Sequence, residues 1–187
     1  MTGIETLSEP AEQITIAAAQ QGDRQAFSKL VLRYQDGVIN VVYRMCGNTQ
    51  LAEEAAQEAF LRAWQNLDRY NPRFAFRNWV YRIALNATLD YIRREPQLVE
   101  IEQNHLVDES TQPEQSFDQK QRRELVRREV LALPVASREV LVLREYEDLS
   151  YQEIADTLNI PLGTVMSRLN YARNQLRRAL LVDLEER

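Results

Sequence analysis

The sequence predicts an all-α chain of two small helical domains, and three observations carry that expectation. Gly and Pro are scarce, five and six in 187 residues, while Ala, Leu, Arg, Glu and Gln, which lose little side-chain freedom in a helix, abound. Apolar residues recur at three- and four-residue spacing through long stretches, the period of one helix face and not of a strand. Between two such stretches, residues 96–115 show no sustained period and are rich in Glu, Asp, Gln and Ser, too few apolar groups to offset the entropy of ordering.

The first helix is expected over residues 11–21, closed by Gly22, after which Asp23 caps a second helix carrying Phe27, Leu30, Tyr34, Val38, Val41 and Met45 on one face. Gly47 ends it. Asn48 or Thr49 caps a third, whose stripe of Ala52, Ala55, Ala56, Ala59, Phe60, Ala63, Trp64 and Leu67 is core. Asn71-Pro72 breaks the chain, and a fourth helix over about 76–94 buries Trp79, Val80, Ile83, Ala87 and Tyr91 before Pro96 stops it. Beyond the acidic linker come helices over about 117–133 and, after Pro134, over 137–147.

The net charge of −5 argues at first against a nucleic-acid partner, but the average hides the distribution. Residues 97–118 alone carry −6, so the rest sums to +1. Residues 69–94 hold six Arg against the single acid Asp90, and residues 164–178 hold four Arg and no acid. Two basic segments flanking an acidic spacer imply two nucleic-acid contacts.

Ser150-Tyr151-Gln152-Glu153 has the pattern of a capping box, in which hydroxyl and carboxylate each satisfy an unpaired backbone N–H at a helix start. That helix buries Ile154, Ala155 and Leu158, turns through residues 159–163 and restarts at Thr164, with Val165, Leu169, Ala172, Leu176 and Leu180 inward. In a helix-turn-helix the second helix enters the major groove with its first turns. Thr164, Met166, Ser167, Asn170 and Tyr171 are the outward positions there, and Arg168, Arg173, Arg177 and Arg178 add charge suited to phosphates. An amphipathic hairpin with a solvated basic face is the competing reading. The lack of acids before Asp183, and a first turn whose one bulky apolar residue is Met166, favour DNA.

The segment LSYQEIADTLNIPLGTVMSRLNYARNQLRRAL resembles region 4 of extracytoplasmic-function (ECF) bacterial sigma factors. GDRQAFSKLVLRYQDGVINVVYRMCGN, AEEAAQEAFLRAWQNLDRY and FRNWVYRIALNATLDYIRRE resemble region 2 of the same family in order and spacing. The resemblance implies a region 2 domain over residues 1–95, an acidic linker over 96–115 and a region 4 domain over 116–187. It implies an alternative sigma factor that binds core RNA polymerase and directs promoter recognition, DNA melting and initiation. Its partners would be the clamp helices of the largest polymerase subunit, the flap of the second-largest, promoter DNA and, in many members, a cognate anti-sigma factor.

Carried onto this chain, the resemblance places Leu51, Glu54, Gln57, Glu58 and Leu61 on the polymerase-binding face of the third helix. It places Arg73, Phe74, Phe76, Arg77, Tyr81, Arg82 and Asn86 on the melted −10 strand, where rings stack on bases and guanidinium groups hold the backbone. Phe76, Trp79 and Tyr81 fit a core role equally, and for Trp79 core is the better reading. Thr164, Met166, Ser167, Arg168, Asn170, Tyr171, Arg173 and Arg177 fall on the −35 recognition helix. Met166 and Tyr171 stand where many members have basic residues, so the −35 sequence read is expected to differ from the commonest one.

Enzymatic chemistry is not expected. The single His105 falls in the linker, the single Cys46 has no partner, and the sequence shows neither a phosphate-binding Gly-rich loop nor a metal-ligand cluster. No cofactor is expected. The apolar runs fall short of the roughly 20 residues that span a bilayer, and MTGIETLSEPAEQ has neither a basic start nor an apolar core, so a soluble cytoplasmic protein is expected. A dimeric helix-turn-helix regulator would leave the upstream aromatic and Arg-rich segment unexplained, and a protein-only adaptor would leave both basic segments unexplained.

Overall fold

The computed structural model describes residues 9–94 and 117–185, with side chains over 11–94 and 121–181. The acidic linker expected over 96–115, with His105, lies outside the described residues. Eight α-helices and one short 3-10 helix make up the described chain: α1 (Glu9–Gln20), α2 (Arg24–Cys46), α3 (Thr49–Gln65), α4 (Phe76–Arg94), α5 (Phe117–Ala132), α6 (Val135–Glu145), α7 (Tyr151–Leu158) and α8 (Leu162–Glu185), with the 3-10 turn at Leu67–Arg69. The described residues contain no strand.

Helices α1–α4 form one bundle, in which α2, α3 and α4 pack on one another and α1 lies along α2. Its helix starts are encoded locally. The Asp23 carboxylate accepts from the backbone N–H of Gln25 at 2.8 Å and Ala26 at 3.1 Å, and the Asn48 side chain accepts from Leu51 N at 2.8 Å, satisfying donors with no intrahelical partner. Gly47 closes α2 at φ 73°, a left-handed conformation that favours glycine. The alanine stripe of α3 is core: Ala52, Ala55, Ala59 and Ala63 are wholly buried, and their small size lets α2 and α4 approach closely.

Helices α5–α8 form the second bundle, with α8 packed on α5, α6 and α7. Two ends differ from expectation. Helix α6 begins at Val135, because the Pro134 carbonyl accepts from the N–H groups of Ser137 at 2.9 Å and Arg138 at 3.0 Å. Helix α8 begins at Leu162, because the Pro161 carbonyl likewise accepts from Thr164 at 2.8 Å and Val165 at 3.2 Å. A proline fixes its own φ and still offers its carbonyl to the next turn.

The bundles do not stand apart. The C-terminal part of α2 packs on α5 and α6, α4 packs on α7, and one continuous set of buried residues runs from Ile16 through Leu85 to Ala172. Arg138 is the polar centre of this junction. It is 5% exposed and its guanidinium donates to the carbonyls of Met45, Leu131 and Leu133, at and just beyond the C-terminal ends of α2 and α5, where helix carbonyls lack intrahelical donors. Burial pulls its pKa down. Nearby, Arg127 donates to Tyr43 Oη at 2.5 Å and the Gly47 carbonyl at 3.4 Å, and the Arg44 guanidinium stacks 4.4 Å from the Tyr146 ring centroid.

Candidate nucleic-acid interface

The helix-turn-helix is built from the capping box onward. Ser150 Oγ accepts from Glu153 N at 3.2 Å and the Glu153 carboxylate accepts from Ser150 N at 2.8 Å. At the other end of α7, Asn159 adopts φ 53° and Ile160 N donates back to the Ala155 carbonyl at 3.0 Å, which turns the chain sharply into α8. Val165, Leu169 and Ala172 are buried and seat α8 on its neighbours. That leaves Met166, Ser167, Asn170, Tyr171, Arg173 and Arg177 exposed, with Thr164 and Arg168 half-buried.

Hydrogen bonding by Ser150 N–H, then by its side chain, holds the Glu153 carboxyl below its ordinary pKa of 4.5. A depressed carboxyl pKa stabilises the fold above the unfolded value, and that contribution fades as pH falls through the folded one. Glu153→Gln, which removes the carboxylate charge, is therefore expected to cost about 1 kcal/mol at pH 7 and less near pH 3, a convergence that urea titrations at the two pH values measure.

Two details differ from the expectation for α8. Leu162 joins Met166 as an exposed apolar residue at the start of α8, at 42% and 53%, so this end of the helix is more apolar than expected. Arg173 is engaged: its Nη2 and Nε reach Glu145 Oε1 at 2.6 and 3.1 Å, and this bond, ahead of other influences, raises its pKa. Exposed pairs of this kind are worth about 0–1 kcal/mol, so Arg173 can leave Glu145 at small cost.

The second basic segment lies on the loop 70–75 and on α4. Tyr70 Oη donates to the Phe74 carbonyl at 2.7 Å and the Asn71 side chain accepts from Arg73 N at 3.0 Å, so the loop is pinned while Arg73 and Phe74 point outward. A 45% exposed Phe beside an Arg is a stacking platform with a charge at its edge. Arg82 and Asn86, one turn apart, are exposed on α4. Phe76 is a correction: at 1% exposed it is the centre of a ring cluster, with Tyr70, Tyr34 and Trp79 at centroid distances of 5.3, 5.6 and 5.5 Å. It supports the loop and offers no face to a base. Tyr81 is 3% exposed, with its hydroxyl bonded to Glu147 in the turn between α6 and α7, and Arg77 is half-buried.

Helix α3 shows the third candidate surface. Glu54, Gln57 and Leu61 are exposed on one face, and Glu58 is half-buried in an ion pair with Arg62 at 2.8 Å. Leu51 is a correction: only 4% is exposed, because it stands four, eight and twelve residues before the buried Ala55, Ala59 and Ala63, on the same face of α3. Beside Leu61 runs a groove between α2 and α3 lined by Phe27, Val31, Ile39, Phe60 and Trp64, a surface that periodicity alone does not separate from core.

Comparison with known proteins shows the family to which the chain belongs. Residues 30–96 match Sigma-70 region 2 and residues 123–176 match Sigma-70 region 4. The ECF RNA polymerase sigma factor SigW of Bacillus subtilis (strain 168) is 35% identical over 176 residues, covering 88% of this chain and 94% of SigW. The chain belongs to the ECF sigma factors. As an alternative sigma factor it directs promoter recognition, and sigma factors are non-catalytic initiation factors. Among solved structures, CnrH in complex with the cytosolic domain of CnrY is 26% identical at TM-score 0.71, covering 92% of this sigma factor and 98% of CnrH. The sigma factor RpoE of Bartonella quintana, in complex with the anti-sigma factor NepR, shares the fold at 22% identity and TM-score 0.65, covering 84% and 98%. Among the described residues no helix is long and apolar enough to cross a membrane, and no group of His, Cys, Asp or Glu side chains is placed to hold a metal.

Arg138 and the cover over Tyr81 are what sequence reasoning missed. Arg138 had a signal: it falls three and four residues before Leu141 and Val142, on the buried face of α6. The pairing of Tyr81 with the α6–α7 turn, 66 residues away, has no local signature.

Proposed function

We propose that this ECF sigma factor, working in the cytoplasm and without enzymatic chemistry of its own, bridges core RNA polymerase and the two promoter elements through three separate faces. Residues 1–95, 96–115 and 116–187 serve as region 2, acidic connector and region 4. Glu54, Gln57 and Leu61, with Glu58 at their edge, dock on the clamp helices of the largest subunit, and region 4 meets the flap of the second-largest. Arg73, Phe74, Arg77, Tyr81, Arg82 and Asn86 hold the melted −10 strand. Thr164, Met166, Ser167, Arg168, Asn170 and Tyr171 meet the −35 duplex, with Arg173 and Arg177 on phosphates. An anti-sigma factor is a further partner, a reading supported by the solved relatives captured with partner proteins.

The observation that carries this reading is the outer face of α8. It begins one tight turn after a fully capped α7, exposes Met166, Ser167, Asn170 and Arg177, and carries no acid over residues 164–178, so nothing on that stretch repels a phosphate backbone.

Run-off transcription with core polymerase, followed by selection from a library randomised at −35, tests it. Asn170→Ala is expected to relax preference at one or two positions, each lost base contact costing about 1–3 kcal/mol. Arg177→Ala is expected to weaken binding to all sequences alike and lower the slope of affinity against log salt by about one. Altered sequence preference in the Arg177 variant, with none in the Asn170 variant, would reverse the orientation of α8 in the groove.

A further inference from the structure

The turn between α6 and α7 lies on the part of α4 that the proposed function assigns to the −10 strand. Tyr81 Oη donates to the Glu147 carboxylate, and Asn78 Nδ2 approaches Glu153 Oε1 at 3.4 Å. The Arg77 charge acts on both carboxylates, while Asp148 adds a third acid beside Glu147. Behind the Tyr81 hydroxyl, α2 carries Gly37, where a Cβ would stand 2.5 Å from Tyr81 Oη. The ring is thus sandwiched between two helical bundles.

A cluster of acids against an Arg, an Asn and a Tyr hydroxyl reproduces in outline what a phosphate backbone presents to the same groups: negative oxygens that accept hydrogen bonds. Strand and turn compete for one surface.

We propose that the α6–α7 turn is an intrachain latch: Glu147, assisted by Glu153, holds the free chain closed by occupying Tyr81 and Arg77, and single-stranded DNA engages α4 only after region 4 swings away. This rests on the reading of α4 as the strand-binding face. The hydrogen bonds of the latch, from Tyr81 and Asn78 to Glu147 and Glu153, lie on the α4 side, whereas the polar contacts around Arg138 and Gly47 lie on the α2 side of the molecule. Releasing Glu147 therefore uncovers α4 first. The closed population lowers apparent strand affinity by the fraction of chains that are open, and both promoter elements become readable together only when the chain opens.

The test compares the full-length wild type with Glu147→Ala, which removes the acceptor from Tyr81, and Asp148→Asn, which removes an equal charge from an exposed neighbour and keeps a residue type tolerant of its φ of 54°. Two quantities are read: fluorescence anisotropy of a labelled single strand carrying the non-template −10 sequence of a mapped promoter, and the radius of gyration by small-angle scattering. Glu147→Ala is expected to bind the strand up to about tenfold more tightly, the effect of losing one hydrogen bond to a charged group, and to show a larger radius of gyration. Asp148→Asn is expected to change neither. Equal strand affinity and equal radius in wild type and Glu147→Ala would overturn the latch, as would an equal gain in Asp148→Asn, which would reduce the effect to net charge. Promoter-dependent run-off by the wild type, measured in parallel, tests the strand-binding face itself, so a missing latch and a wrong assignment of α4 give different results.

Discussion

Replacing Arg138 with Met is expected to lower the unfolding free energy by about 2–4 kcal/mol. The volume is nearly kept and the charge is lost. Three carbonyls, those of Met45, Leu131 and Leu133, then lose the Arg138 donor at the C-terminal ends of α2 and α5, where carbonyls have no intrahelical partner. Relief from burying the guanidinium, whose cost is visible in its lowered pKa, offsets part of the loss and sets the upper bound. Because the side chain ties α2 to α5, the change should loosen the junction of the bundles as well as the second bundle. Thermal melting should show a Tm lower by about 4–16 °C. A loss under about 0.5 kcal/mol would mean that water reaches these carbonyls and that the guanidinium is not their essential partner.

The second large effect is expected at Leu169. It is 1% exposed and lies on the inward face of α8, among helices α5–α7 that pack on it. Leu169→Ala should cost about 2–5 kcal/mol, from lost transfer energy and from the cavity left behind. Amide exchange in α8 should rise more than in α3, whose core does not depend on it, and promoter-specific run-off should fall with the loss of a fixed α8 surface. Leu181→Ala, at a position 51% exposed on the same helix, should change stability by less than about 0.5 kcal/mol. Equal costs at the two positions would mean that α8 is not seated by its Val165, Leu169 and Ala172 face.

Much of this molecule was legible locally. Asp23, Asn48 and Ser150 are caps whose partners lie two or three residues away, so the sequence names both ends of each bond. The alanine stripe of α3 and the inward residues of α8 follow the helical period, and burial bears out Ala52, Ala55, Ala59, Val165, Leu169 and Ala172. Periodicity failed where one residue fits two environments. Leu51 carries the period of the buried Ala55, Ala59 and Ala63 yet stands in the first turn of its helix, and Phe76 is a large ring at the head of a helix, fit for either base stacking or a ring cluster until its neighbours are known.

By itself, then, the sequence determined the helices, their caps, the order of the two basic segments and the family to which they belong, because all of these depend on residues within one or two turns of each other or on order along the chain. Only the tertiary structure decided that the bundles share one junction, that Arg138 closes two helices at once, that Gly37 exists to admit Tyr81, and that Glu147 covers the face of α4. Each of these joins residues 44 to 93 positions apart or across bundles. The physical reason is that a buried polar group must find its partner wherever the fold brings one, and hydrophobic period records which face is buried without recording against what.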